Sequence, residues 1–206
     1  MNIFNFVELS HFLIDNYVKE ESIVVDCTSG NGFDSLYLCN RLQGKGYLFS
    51  FDLQEEAIRR TEKLLADKCC FDNYKLINES HSKLNDYIKD KIDFGIYNLG
   101  YLPNSDSDTK TTPKETIISL KIMMEILNNR GIVVIVAYTG QDEGRERDEI
   151  FNFLKNINPK KFSIMNINLI NINNYPPEVF IIQKNAWFLS FLSCIFFVIS
   201  CSKDDF

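Results

Sequence analysis

Four short stretches hold residues whose types and order could do chemistry. "VVDCTSGNGFDS" (24–35) ends an apolar run in Asp26, then turns through Gly30 and Gly32 into a helical pattern. Glycines there permit close backbone approach and unusual dihedrals, and the free N–H groups of the following helix end can meet a polar ligand. The turn is neither G-x-G-x-x-G nor a phosphate loop, since no Gly-Lys-Ser/Thr follows. Its D-x-x-x-G-x-G order fits a ligand with an amino-acid end and a nucleoside end. A plain strand-to-helix turn would explain the glycines but leave Asp26, Asn31 and Asp34 without a task.

Asp52 ends the next apolar run, "YLFSFD", about 20 residues beyond the turn, where a carboxylate can accept both hydroxyls of a ribose. Its bland role is to cap the helix that begins near Gln54. "NESHS" (78–82) brings Ser80 and His81 to the same level, where they could line an adenine pocket, although a lone histidine is more often a surface or capping residue. "IYNLGYLP" (96–103) closes a buried run on the amide of Asn98, with Gly100 and Tyr101 just beyond and Pro103 stiffening the exit. An amide accepts hydrogen bonds without taking a proton, and an aromatic ring can stack on an unpaired base. Alone, this segment would read as a capped strand end with a core tyrosine. His11 is read as structural, and Cys27 as a small packed side chain with no basic partner nearby.

The elements that must place these residues are strands near 22–27, 47–52, 74–78, 91–98 and 131–138. Apolar runs without clean alternation suit strands covered on both faces. Between them "FDSLYLCNRL", "QEEAIRRTEKLLADK" and "PKETIISLKIMMEILNN" repeat apolar residues at three and four, as amphipathic helices do. Pro113 predicts a helix start, and Asn129 with Gly131 predicts its end. Alternating strands and helices mean α/β architecture with right-handed crossovers. "KKFSIMNINLINI" and "VFIIQK", joined by the short "NNYPPE", leave no room for a crossover and predict an antiparallel hairpin at the sheet edge.

At 206 residues, 45% of them hydrophobic, the chain can bury one sizeable core. A net charge of -6 gives no global attraction for phosphate, so any nucleic-acid contact needs local cations such as Lys110, Lys114, Arg145 and Arg147. Six cysteines without C-x-x-C or Cys/His spacing, and no N-terminal signal sequence, predict a reducing cytoplasmic body without structural metal. Residues 1–185 form the expected domain. Residues 186–206 are apart: "AWFLSFLSCIFFVISC" is uncharged for 16 residues, shorter than the ~20 of a membrane-spanning helix. It resembles a lipoprotein signal peptide, which at a C-terminus points to a gene-fusion artefact; a tail anchor and an extra packed helix rank lower.

The order D-x-T-x-G-N-G, then a ribose-type aspartate, then an asparagine closing the fourth strand resembles a class I methyltransferase using S-adenosylmethionine. "DCTSGNGFDS", "FDLQEEAI", "NESHS", "YNLGYLP", "TKTTPKETIISL", "VAYTG" and "NNYPP" come in the order of a bacterial family first labelled "putative rRNA methylases". Its members are understood to methylate the amine of 5-aminomethyl-2-thiouridine at the tRNA wobble position. The likeness covers about residues 1–184. It implies a Rossmann-like, seven-stranded, mostly parallel sheet with one antiparallel edge strand and helices on both faces. It also implies cofactor contacts from Asp26, Thr28, Gly30, Asn31, Gly32, Asp34, Asp52, Gln54, Ser80 and His81. Catalytic roles would fall to Asn98 and Tyr101, and the base pocket to Gly100, Tyr138, Tyr175, Pro176 and Pro177. The implied partner is a tRNA anticodon loop, and a homodimer is compatible with the family. Gln141, Asp142 and Glu143 depart from the family pattern, which has a histidine and small residues after the Tyr-x-Gly. Rival readings are a methyltransferase for rRNA, a small amine or a protein side chain, and a cofactor-binding protein without turnover.

Overall fold

Seven strands form one sheet in the order β3-β2-β1-β4-β5-β7-β6, in a computed structural model that describes residues 5–69, 71–100, 112–138, 144–172 and 176–186. The strands are β1 (Ile23–Asp26), β2 (Tyr47–Asp52), β3 (Tyr74–Asn78), β4 (Ile92–Leu99), β5 (Leu127–Ala137), β6 (Phe162–Ile167) and β7 (Glu178–Lys184). The helices are α1 (Phe6–Tyr17), α2 (Phe33–Leu42), α3 (Glu55–Lys68), α4 (Leu84–Tyr87), α5 (Pro113–Ile126) and α6 (Arg145–Lys155). The first five strands pair in parallel, and β7 runs antiparallel to both β5 and β6. The predicted hairpin therefore lies at the edge, with the reversed strand β7 one place inside β6.

The apolar runs have the double burial expected of them. Val25, Phe51, Tyr97, Val133 and Ile135 pack on one face with residues of α4, α5 and α6, while Val24, Leu48, Phe94, Ile96 and Val134 pack on the other with residues of α1, α2 and α3. The edge strand β6 alternates instead, leaving Met165 exposed.

Helix starts follow local chemistry. Asn5 accepts from the N–H groups of Val7 and Glu8 at the start of α1, and Thr112 forms a reciprocal capping box with Glu115 around Pro113 at the start of α5. The end of α5 differs from expectation. It stops at Ile126, β5 begins at once with Leu127, and the left-handed residue is Arg130 (φ 64°). The cause is tertiary: Lys184 Nζ donates to the carbonyls of Met124, Glu125 and Leu127, Lys91 Nζ donates to Glu125 O, and Asn128 Nδ2 donates to Asp93. Those cations take the orphan carbonyls that a glycine cap would otherwise satisfy.

The chain runs outward from β1 through β2 to β3, then returns to β4 on the other side of β1. This reversal opens a crevice between the carboxyl ends of β1 and β4, where open α/β sheets bind ligands.

Candidate active site

The glycine turn is stitched to both neighbouring strands. Ser29 N donates to Phe51 O at 2.9 Å, and Gly30 N donates to Asp52 Oδ2 at 2.9 Å, binding the loop to the end of β2. On the other side Thr28 Oγ1 accepts from Asn98 N at 2.7 Å, binding it to β4. Gly30 (φ 53°) and Gly32 (φ 83°) are left-handed, and a Cβ on Gly32 would lie 2.9 Å from the Thr61 Cα. The loop's shape and its contact with α3 thus both require glycine at position 32.

Asp26 braces this loop from beneath. It is 1% exposed, and its carboxylate accepts from Thr28 N at 3.0 Å and Ser35 Oγ at 2.6 Å. Burial pushes its pKa up to about 7, and the charge of Asp34 adds to that. Asn31 Oδ1 accepts from Arg60 Nη1 at 3.2 Å, so it leans on α3.

Asp52 joins the glycine turn to the start of α3. Oδ2 accepts from Gly30 N while Oδ1 accepts from Gln54 N at 2.9 Å, and the backbone of Leu53 also bonds the carboxylate. Burial raises its pKa. The cap of α3 is Gln54, without a side-chain bond to the helix, so Asp52 is not the cap of that helix. At the end of β3, Ser80 Oγ accepts from Ser82 N and donates to Glu115 Oε1 at 3.4 Å. His81 is 2% exposed and stands edge-on to Tyr97, with ring centroids 5.5 Å apart. Neither of its ring nitrogens has a hydrogen-bond partner among the described residues, and the same is true of Ser29 Oγ. Burial lowers the His81 pKa to about 4, keeping the imidazole neutral.

Asn98 closes β4 on the far side of the crevice. Its Nδ2 donates to Asp34 Oδ2 at 3.4 Å, which directs the amide oxygen away from that carboxylate. Gly100 and Tyr138 flank it: a Cβ on Gly100 would come within 3.2 Å of the Tyr138 ring. Tyr138 is 41% exposed, and burial, then the charge of Asp34, raises its pKa. Because Ala137 pairs with Glu178, the Pro176-Pro177 turn meets the same end of β5. Tyr101, Tyr175, Lys110 and Gln141 to Glu143 lie outside the described residues, as does 187–206 of the apolar tail.

Two sequence readings change. His11 reaches the crevice: its Nε2 lies 3.2 Å from Asp34 Oδ1, and its ring stacks on Tyr37 at 3.8 Å. Nothing in the spacing of a single histidine on an amphipathic helix announced this. Arg147, read as a cation for RNA, pairs with Asp148 at 3.0 Å and Glu178 at 3.6 Å, whereas Lys114 and Arg145 are exposed. Cys27 is buried with its thiol pKa pushed up by burial, as a packed side chain should be. No cluster of three metal-ligating side chains, and no helix long and apolar enough to cross a membrane, occurs among the described residues.

Residues 48–183 match the family model described as "Putative rRNA methylase". The chain belongs to that family. It is 38% identical to a "putative rRNA-methylase" from Clostridium thermocellum, whose crystal structure superposes with a TM-score of 0.85 over 89% of this chain and 100% of that one. A "putative methyltransferase" from Streptococcus mutans, solved in complex with SAH, is 32% identical with a TM-score of 0.79, over 86% and 97% of the two chains. A chloroplastic tRNA (mnm(5)s(2)U34)-methyltransferase of Arabidopsis thaliana is 30% identical over 69% of this chain and 56% of its own. This chain spans about half the length of the curated relatives it matches. The fold is that of the class I S-adenosylmethionine-dependent methyltransferases.

Proposed function

We propose that this chain is an S-adenosylmethionine-dependent RNA methyltransferase, and that its acceptor is the 5-aminomethyl group of 5-aminomethyl-2-thiouridine at the tRNA wobble position. The observation that carries the reading is the end of β4. Asn98 offers an amide oxygen at the switch-point crevice, its own N–H being held by Asp34, with Tyr138 and Gly100 beside it. Likeness to the plant tRNA enzyme supports the choice of nucleoside.

The residues present fit the cofactor. Left-handed Gly30 puts no Cβ on the turn after β1, the Asp52 carboxylate stands beside that turn at the end of β2, and the buried Ser29 hydroxyl and His81 nitrogens are unpaired among the described residues. When bound, S-adenosylmethionine supplies an electrophilic methyl group on a sulfonium sulfur. The chain's own work is positioning. Asn98 Oδ1 accepts an N–H of the acceptor amine and so aims its lone pair. An amide takes no proton, so the amine enters neutral and the product's surplus proton leaves to water. Tyr138 supplies a wall for the base, and Tyr101 is assigned the stacking ring. Because a wobble base lies in a loop, unpairing costs little. Lys114 and Arg145 supply local positive charge to a protein that is acidic overall.

The test is to incubate the full chain with S-adenosylmethionine and tRNA bearing the unmethylated nucleoside, and to read nucleosides by mass spectrometry. A gain of one methyl on the aminomethyl nitrogen is expected. Cofactor binding without that gain would discard the tRNA assignment, and methylation of other material that survives ribonuclease would move the acceptor to a small amine or a protein.

A further inference from the structure

We propose that His11 and Asp34 are positioning residues that fix the Asn98 amide through a hydrogen-bond chain from His11 to Asp34 to Asn98. The inference rests on the reading of Asn98 as the group that meets the acceptor amine. His11 Nε2 lies 3.2 Å from Asp34 Oδ1, and Asn98 Nδ2 lies 3.4 Å from Asp34 Oδ2. A carboxylate can only accept, so the histidine donates through Nε2 and the amide donates through Nδ2. That assignment has one consequence for chemistry: Asn98 must present Oδ1, not Nδ2, to the crevice. An acceptor amine needs an oxygen there, since a donor in its place would oppose the amine's own N–H groups.

The chain is anchored at its far end. The His11 ring lies 3.8 Å from the Tyr37 ring at 14°, and the Tyr37 hydroxyl donates to Asp15 Oδ2 at 2.9 Å. The side chains of His11 and Asp34 are 24% and 13% exposed, so water competes only partly for these bonds. Asp34 sits in the first turn of α2, where the free N–H groups of the helix favour an anion. Both residues precede residue 48, where the family match begins, so α1 contributes to the site from outside that match.

Three variants of the full chain separate this role from simple packing. His11→Phe keeps a ring on Tyr37 but loses the donor; His11→Gln keeps a side-chain N–H at similar reach but loses the ring. We expect His11→Phe to lower single-turnover methyl transfer to tRNA about ten-fold, with cofactor and tRNA affinities within about two-fold of wild type. His11→Gln should recover most of that rate. In an Asn98→Ala background, His11→Phe should have no further effect. The reverse ranking, with Phe active and Gln slow, would assign His11 to packing and overturn the proposal.

A second readout does not need the substrate. The Asn98 side-chain amide resonance, assigned by its loss in Asn98→Ala, should exchange with water faster in His11→Phe than in wild type or His11→Gln. Equal exchange in all three would also overturn it. If exchange follows the expected order while tRNA gains no methyl, the hydrogen-bond chain stands and the tRNA reading falls.

Discussion

Thr28 Oγ1 accepts the backbone N–H of Asn98 at 2.7 Å, so one hydroxyl joins the glycine turn after β1 to the last residues of β4. β1 and β4 already pair in parallel, and Cys27 N donates to Ile96 O at 2.9 Å, so this bond carries their shared register one step further, into the loop. Because the same loop is tied to β2 through Ser29 and Gly30, the turn proposed to cradle the cofactor and the amide proposed to meet the acceptor are joined through one loop.

Thr28→Val should therefore cost more than its shape suggests. It leaves a partly buried N–H without an acceptor, a loss of about 1–2 kcal/mol by urea denaturation, whereas Thr28→Ser should stay close to wild type. A valine variant as stable as the parent would show that this bond does not tie the loop to β4.

Asn98→Ala and Asp52→Ala should fail in different ways. The first removes the amide proposed to aim the acceptor and should lower single-turnover transfer about 100-fold with cofactor affinity near wild type. The second removes the acceptor for Gly30 N and the proposed ribose contact, and should weaken cofactor binding about 10- to 100-fold by calorimetry. Equal losses of cofactor affinity in both variants would end this division of labour.

Much of this was legible in the chain, for identifiable reasons. Strands covered on both faces read as unbroken apolar runs, and the D-x-x-x-G-x-G turn and Asp52 lie at strand ends that topology brings to one edge. The end of α5 was not legible, because Lys184 caps it from 57 residues away. Nor was the contact of His11 with Asp34: Phe6, Leu9, Ser10, Leu13 and Ile14 define the buried face of α1, and His11 lies at its border, where only the packing of α1 on α2 brings it to Asp34. Position marked Ser80 and His81 as edge residues, but their burial against α5 and Tyr97 depends on neighbours far along the chain.

Gly32→Ala should destabilise the fold by about 2 kcal/mol or more. The residue is left-handed, which costs an alanine about 1–2 kcal/mol, and the new Cβ would stand 2.9 Å from the Thr61 Cα, a backbone atom that cannot rotate aside. A companion Thr61→Ala change removes the hydroxyl but not that Cα, so it should rescue little. Full rescue in a urea titration would place the conflict in the side chain instead.

His81 and Asp26 give the protein opposite pH responses. Burial lowers the His81 pKa from 6.5 to about 4, so the unfolded chain holds that proton more tightly. Its contribution is fully present above pH 6.5 and is lost as the pH falls through about 4, a change on the order of 3 kcal/mol. Asp26 is raised from 3.8 to about 7, so the folded state takes up its proton first, and the penalty of burying the charge is relieved as the pH falls below about 7. Comparing wild type with His81→Phe by urea midpoints from about pH 8 to about pH 4.5 isolates the histidine, since any packing change is the same at every pH. The difference should be flat above pH 6.5 and should shift steadily in favour of the variant below it. A difference that stays constant across the whole range would mean that the imidazole is not kept neutral by its burial, and that polar contact reaches it at the end of β3.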